Sequence, residues 1–124
     1  MPSNRTLASC PDSPNCVSSL ASDAKHYVAP LQYTGGLNEA RGLLRSILRS
    51  MKRMRIVVDE PTYIHAEVTS ALFRFVDDVE FLFAEPENII HVRSASRVGY
   101  YDFGANLKRI ERIRNFLSGR HAMR

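Results

Sequence analysis

The chain has 124 residues, 44% of them apolar and 24% charged, with a formal net charge of +4. That length suits one domain whose single core buries roughly two-thirds of the unfolded surface. The composition excludes disordered and low-complexity classes, and no apolar run approaches the roughly 18 to 20 residues of a membrane span. The basic excess, mostly arginine, admits an anionic partner without requiring one, and nucleic acid is not the expected partner.

The stretch Leu7 to Cys10, LASC, has the small-residue pattern found before a lipid-modified cysteine. Only MPSNRT precedes it, without the roughly 7 to 15 apolar residues of an export signal. As written, the sequence therefore reads as a soluble, cytoplasmic protein; the cell envelope is the alternative if an export segment has been removed. Cys10 and Cys16 frame CPDSPNC, whose Pro-Asp-Ser-Pro turn can bring the sulfurs together. A disulfide is the first reading, and closing so short a loop would contribute about 2 kcal/mol. Reduced structural thiols and a metal or redox site are the alternatives. For zinc the spacing is wide and no second ligand pair is evident, so no metal is expected.

Residues 1–36 are rich in Ser, Pro, Asn and Gly and read as an irregular arm, extended over His26 to Tyr33. They lie over a single domain at 37–124. Leu37, Ala40, Leu44, Ile47, Leu48 and Met51 recur at helical spacing, predicting a helix near 38–53. Arg41, Arg45, Arg49 and Arg53 form a stripe along its other face. Four strands follow, at 55–59, 62–72, 75–83 and 89–97, joined by short turns that imply antiparallel pairing. A second helix is expected near 105–118, burying Leu107, Ile110, Ile113 and Leu117 and stopped by Gly119. Together they predict an α+β two-layer sandwich: an antiparallel sheet of about four strands with both helices on one face.

Period-two alternation divides these strands. Ile64, Ala66, Val68, Val79, Phe81, Phe83, Ile90, Val92 and Ser94 share the helix side. Tyr63, His65, Glu67, Asp78, Glu80, His91, Arg93 and Arg97 share the other. Asp78 and Glu80, about 6.6 Å apart along one strand, suit general acid–base chemistry, and His65 adds an imidazole. These three are the candidate catalytic residues. No nucleophile motif or metal spacing accompanies them, and a salt-bridged polar face is the plainer reading. DFG at Asp102 to Gly104 and HAE at His65 to Glu67 are chance echoes of kinase and deaminase motifs, whose companion elements are missing.

The blocks CPDSPNCVSS, YIHAEVTS, FVDDVEF and VRSASRVGYYDFGANLKRIERIR, in this order from Cys10 to about Leu117, closely resemble the family of unknown function numbered 1499 (DUF1499). The family occurs in bacteria and plant plastids, its members often follow a membrane or export segment, and it carries no assigned activity, cofactor or catalytic residue. Its signature blocks coincide with the polar strand sides and with the corner entering the second helix.

At that corner Asp102 is expected to N-cap the helix. Arg93, Arg97, Asn106 and Arg109 would converge above its positive end as an anion cradle, with Glu67 on the same surface. Arg93 is expected to pair with Asp78 or Glu80, and Arg97 to keep its charge for a ligand. The leading expectation is a non-enzymatic binding module for a small anionic ligand or a partner peptide, without a cofactor. A small hydrolase- or isomerase-like enzyme using His65, Asp78 and Glu80 is the second. An adaptor for nucleic acid or anionic lipid through the arginine stripe is the third.

Overall fold

A computed structural model describes residues 5–119. The outer ends of the expected arm (1–4) and domain (120–124) lie outside the described residues. Two short strands, β1 (Cys16–Ser18) and β2 (Leu31–Gln32), precede helix α1 (Leu37–Ser50). Strands β3 (Met54–Glu60), β4 (Tyr63–Thr69), β5 (Val76–Ala84) and β6 (Ile89–Ser96) follow, and helix α2 (Ala105–Leu117) comes last. The sheet is antiparallel throughout, in the order β1-β6-β5-β4-β3, with β2 also pairing β6.

Among the described residues the sheet thus has six strands rather than about four. The two extra strands come from the arm, where segments of three and two residues are too short to show alternation. Placed end to end along the outer edge of β6, they cover peptide groups that would otherwise invite pairing with another chain. A disulfide between Cys10 and Cys16, with Cα atoms 5.7 Å apart, ties the arm to β1. Buried His26 holds the next part of it, through Asp23 and the Ser13 carbonyl at 2.7 and 2.8 Å.

Both helices share one face of the sheet. Ala40, Leu44 and Leu48 of α1 and Ile110 and Ile113 of α2 join one core with Ile64, Ala66, Val79, Phe81, Phe83, Ile90 and Val92. The expected alternation therefore holds on all three long strands. Helix α1 stops at Ser50, short of the expected 53, because Met51 turns to extended backbone and Arg53 adopts φ 60°. The stripe is broken there, and Arg41 and Arg45 both turn to Asp59, at 2.8 and 3.4 Å. In α2 the buried face runs through Asn106, Ile110 and Ile113; Leu107, expected inside, is largely exposed.

Strand β3 carries one irregularity. Ile56 pairs with Ala66 but Val58 pairs with His65, so Val57 is an extra residue, a β-bulge. Beyond it the alternation is inverted, which turns Asp59 toward α1.

Candidate functional site

The sheet divides the expected site residues into two groups. Residues 93 and 97 have open-face parity, whereas Asn106 and Arg109 belong to a helix lying on the other side. The four therefore do not converge. The helix end is also filled from within: the Asp102 carboxylate accepts from the N–H groups of Gly104 (2.8 Å) and Asn106 (3.1 Å) and from the Asn106 side chain (2.8 Å). Burial pulls the Asp102 carboxyl upward, but these hydrogen bonds outweigh it and hold it below its usual range. Asp102 caps from two positions ahead of the N-cap itself, which is Gly104 at φ 77°. The expected anion cradle is occupied by the chain's own carboxylate.

On the open face, Arg97 is the centre. Its Nε and Nη2 donate to Asp78 at 2.7 and 2.8 Å, and Nη2 also donates to Glu67 at 2.6 Å. Arg55 reaches Glu67 (3.0 Å) and His65 Nε2 lies 2.8 Å from Asp78 Oδ1. Hydrogen bonds from Arg97, foremost, hold both carboxyls below their usual range. The expectation that Arg97 keeps its charge for a ligand fails, because two protein carboxylates engage it.

Glu80 accepts from the Tyr63 hydroxyl, whose pKa is raised by burial and then by that carboxylate. Arg93 pairs with Glu80, as expected, but loosely at 3.7 Å; it also donates to the Ser9 carbonyl (3.3 Å). Its buried Nε has no hydrogen-bond partner among the described residues. The arm crosses this surface: besides Ser9 over Arg93, Arg5 pairs with Glu60 at 2.8 Å and lies 4.6 Å from the Tyr63 ring centroid.

On the helix side lies a second polar cluster that the sequence reading missed as a unit. Fully buried Asn106 accepts from Ser94 Oγ (2.6 Å) and Arg109 (2.7 Å), and donates to the Asn15 carbonyl, Ser96 Oγ and Asp102. Arg109 also pairs with Asp77 at 2.8 Å, each side chain less than 15% exposed. Asp77, Ser94 and Ser96 all have apolar-side parity. Polar residues at core positions demand partners, and that was the available signal.

A cavity lies away from both clusters. A half-open cleft of about 930 Å³ runs between β2 and its flanks, the start of α1 and the end of α2. Leu31, Tyr33, Leu43, Ile89 and Leu117 supply apolar wall; Glu39 and Glu87 also line it. Arg114 lines it too, but donates to the carbonyls of Ala29 and Pro30 and to Glu111. The Tyr33 hydroxyl is buried without a hydrogen bond among the described residues, and burial raises its pKa. None of His65, Asp78 or Glu80 lines this space.

Among the described residues no cluster of three His, Cys, Asp or Glu could hold a metal ion, and no helix is long and apolar enough to cross a membrane. The model of the family described as "Protein of unknown function (DUF1499)" matches residues 6–117, and the chain belongs to that family. No curated protein and no solved structure matches it.

Proposed function

We propose that this member of the DUF1499 family is a non-enzymatic binding module whose ligand seat is the cleft at the β2 end of the sheet. One observation carries the reading: the cavity and the acid–base residues stand apart. The open-face carboxylates Glu60, Glu67, Asp78 and Glu80 are each engaged by an arginine, histidine or tyrosine. The cleft instead combines apolar wall from Leu31, Leu43, Ile89 and Leu117 with polar side chains such as Gln32, Thr34, Glu39 and Asn88, the mixture that orients a small molecule in a concave site.

Its charge narrows the ligand. With Arg114 committed to carbonyls and Glu111, the acids Glu39 and Glu87 set the local sign. A small neutral or cationic molecule with an apolar body fits better than the anion expected from the sequence. The stripe reading, an adaptor for nucleic acid or anionic lipid, loses support because Asp59 holds Arg41 and Arg45.

A thermal-shift screen of small amines, neutral amphiphiles and carboxylates tests this. An amine or neutral ligand at 100-fold its Kd should add about 2.7 kcal/mol of stability. Leu43→Arg, at a half-exposed position in the cleft wall, should abolish that shift. A carboxylate whose effect survives Leu43→Arg and depends on Arg93 would move the site to the open face. The hydrogen-bonded pair of His65 and Asp78 keeps an enzyme as the second reading. Turnover of any ester or amide substrate that disappears in His65→Ala would establish it.

A further inference from the structure

At the end of the sheet opposite the cleft, the chain exposes apolar side chains that no packing requirement explains. The turn from β4 to β5 carries Leu72 (79% exposed), Phe73 and Phe75. The connection from β6 to α2 carries Tyr101 (71%) and Phe103 (90%), and Leu107 continues the surface onto the helix. The two segments leave the sheet side by side: Asp77 pairs with Ser96, and Arg97 N–H donates to the Val76 carbonyl at 3.1 Å. From Ile89 beside the cleft, β6 runs roughly 23 Å to Ser96 at this end, seven steps of about 3.3 Å.

Each loop is built rather than loose. Ser70 closes the first by accepting from Phe75 N–H (2.9 Å), and Phe73 stacks on Phe75 with centroids 5.6 Å apart. In the second, Asn15 donates to the Gly99 carbonyl (2.8 Å), Asp102 gathers three donors, and Tyr100 meets Tyr101 edge-on. Both hold a non-glycine residue in left-handed backbone, Arg74 at φ 59° and Phe103 at φ 55°. That conformation is costly for an L residue, and such strain gathers at working surfaces. Here it accompanies a phenylalanine ring that touches almost nothing.

The geometry points to a peripheral membrane-binding tip: these two loops enter the headgroup and upper acyl region of an anionic bilayer. Shape and charge favour a bilayer over a protein partner. These exposed aromatics sit on two adjacent connections rather than along a strand or helix, and none of them lines the cleft; tyrosine and phenylalanine suit the polar–apolar boundary of a membrane. Arg74 and Lys108 flank them, exposed and without ion pairs among the described residues. The one acid in either loop, Asp102, is consumed as a cap. This surface is separate from the cleft, and the inference stands whether or not the cleft binds a ligand.

The chain contains no tryptophan, so Phe103→Trp makes a single fluorescent reporter, with Leu43→Trp at the far end as control. With phosphatidylcholine vesicles containing phosphatidylglycerol, Phe103→Trp emission should shift to the blue and Leu43→Trp emission should not. Co-sedimentation of the full chain should fall about tenfold or more in Phe73→Ser plus Phe103→Ser, with an unchanged melting temperature. Removing Arg74 and Lys108 as serines should cost roughly fivefold each on anionic vesicles. Absence of vesicle binding overturns the inference, as do equal shifts of both reporters. Self-association that requires Phe103 without vesicle binding would overturn it in favour of a protein contact.

Discussion

Arg109 and Arg97 each hold an aspartate of β5 at under 3 Å, from opposite faces of the same sheet. The neighbouring residues Asp77 and Asp78 point in opposite directions, so adjacent positions in sequence meet different dielectrics. Arg109 of α2 holds Asp77 beneath the helix, each side chain less than 15% exposed, and Arg109 also bonds Asn106. Arg97 is 46% exposed. The teaching is that the same pair of residue types does two jobs. Under the helix, a charge stripped of water and then unpaired is severely penalised, so the cluster dictates how α2 sits. On the open face water replaces a lost partner, so the network adds little stability and mainly keeps the carboxylates ionised.

The largest effect should come from breaking the covered pair. Arg109→Ala strands Asp77 and should cost about 3 kcal/mol in denaturant unfolding. Arg109→Met with Asp77→Leu should recover most of it, and a double change as unstable as the single would erase the contrast between the faces. Next comes Asn106→Ala, which removes side-chain hydrogen bonds to five residues, Asn15, Ser94, Ser96, Asp102 and Arg109, and should cost about 2 to 3 kcal/mol. Losing the disulfide through Cys10→Ser with Cys16→Ser should cost about 2 kcal/mol by the same measurement.

Smallest is Arg97→Ala at neutral pH, expected to remain within the range of ordinary surface changes. Its signature is pH. Glu67 and Asp78 have depressed values when folded, so their contribution is present above their unfolded values near 4 and fades as pH falls through the folded ones. Wild type and Arg97→Ala should therefore differ at pH 7 and converge in acid. A difference that persists at about pH 2 would mean that packing, not charge, holds Arg97.

The two faces were readable because β4, β5 and β6 alternate over seven to nine residues, enough for the period to stand out. The helices were readable for the same reason at their own period. Pairings were not. Glu80 sits directly opposite Arg93 across β5 and β6, yet that pair is loose, whereas Arg97, which lies past the last paired residue, swings back to hold Asp78 and Glu67 tightly. Which arginine reaches which carboxylate depends on register and side-chain path, and alternation contains neither. The helix-side cluster left a trace in Asp77, Ser94 and Ser96, polar residues at core parity, that pointed to a partner without naming Asn106. The cleft left none, since its walls come from the arm, a turn and two helix ends. The exposed aromatics of 72–75 and 98–103 are ordinary letters in sequence; only their lack of neighbours marks them.

The extra residue in β3 works like a shift of reading frame within a strand. Two consecutive valines, Val57 and Val58, conceal it, because either could serve on either side. Downstream of them every side chain exchanges faces, and Asp59 becomes the anchor for Arg41 and Arg45 of α1. The bulge, rather than the identity of either valine, is thus what this edge must preserve: absorbed into a regular ladder at unchanged length, it would set Val58 opposite Ile64 and Asp59 opposite Tyr63, on the other side of the sheet. Two arginines would then face the sheet edge without an anion. Deleting Val57 would instead close the bulge and leave Asp59 opposite Ile64, still turned to α1, so this strand tolerates the loss of its extra residue better than the straightening of it.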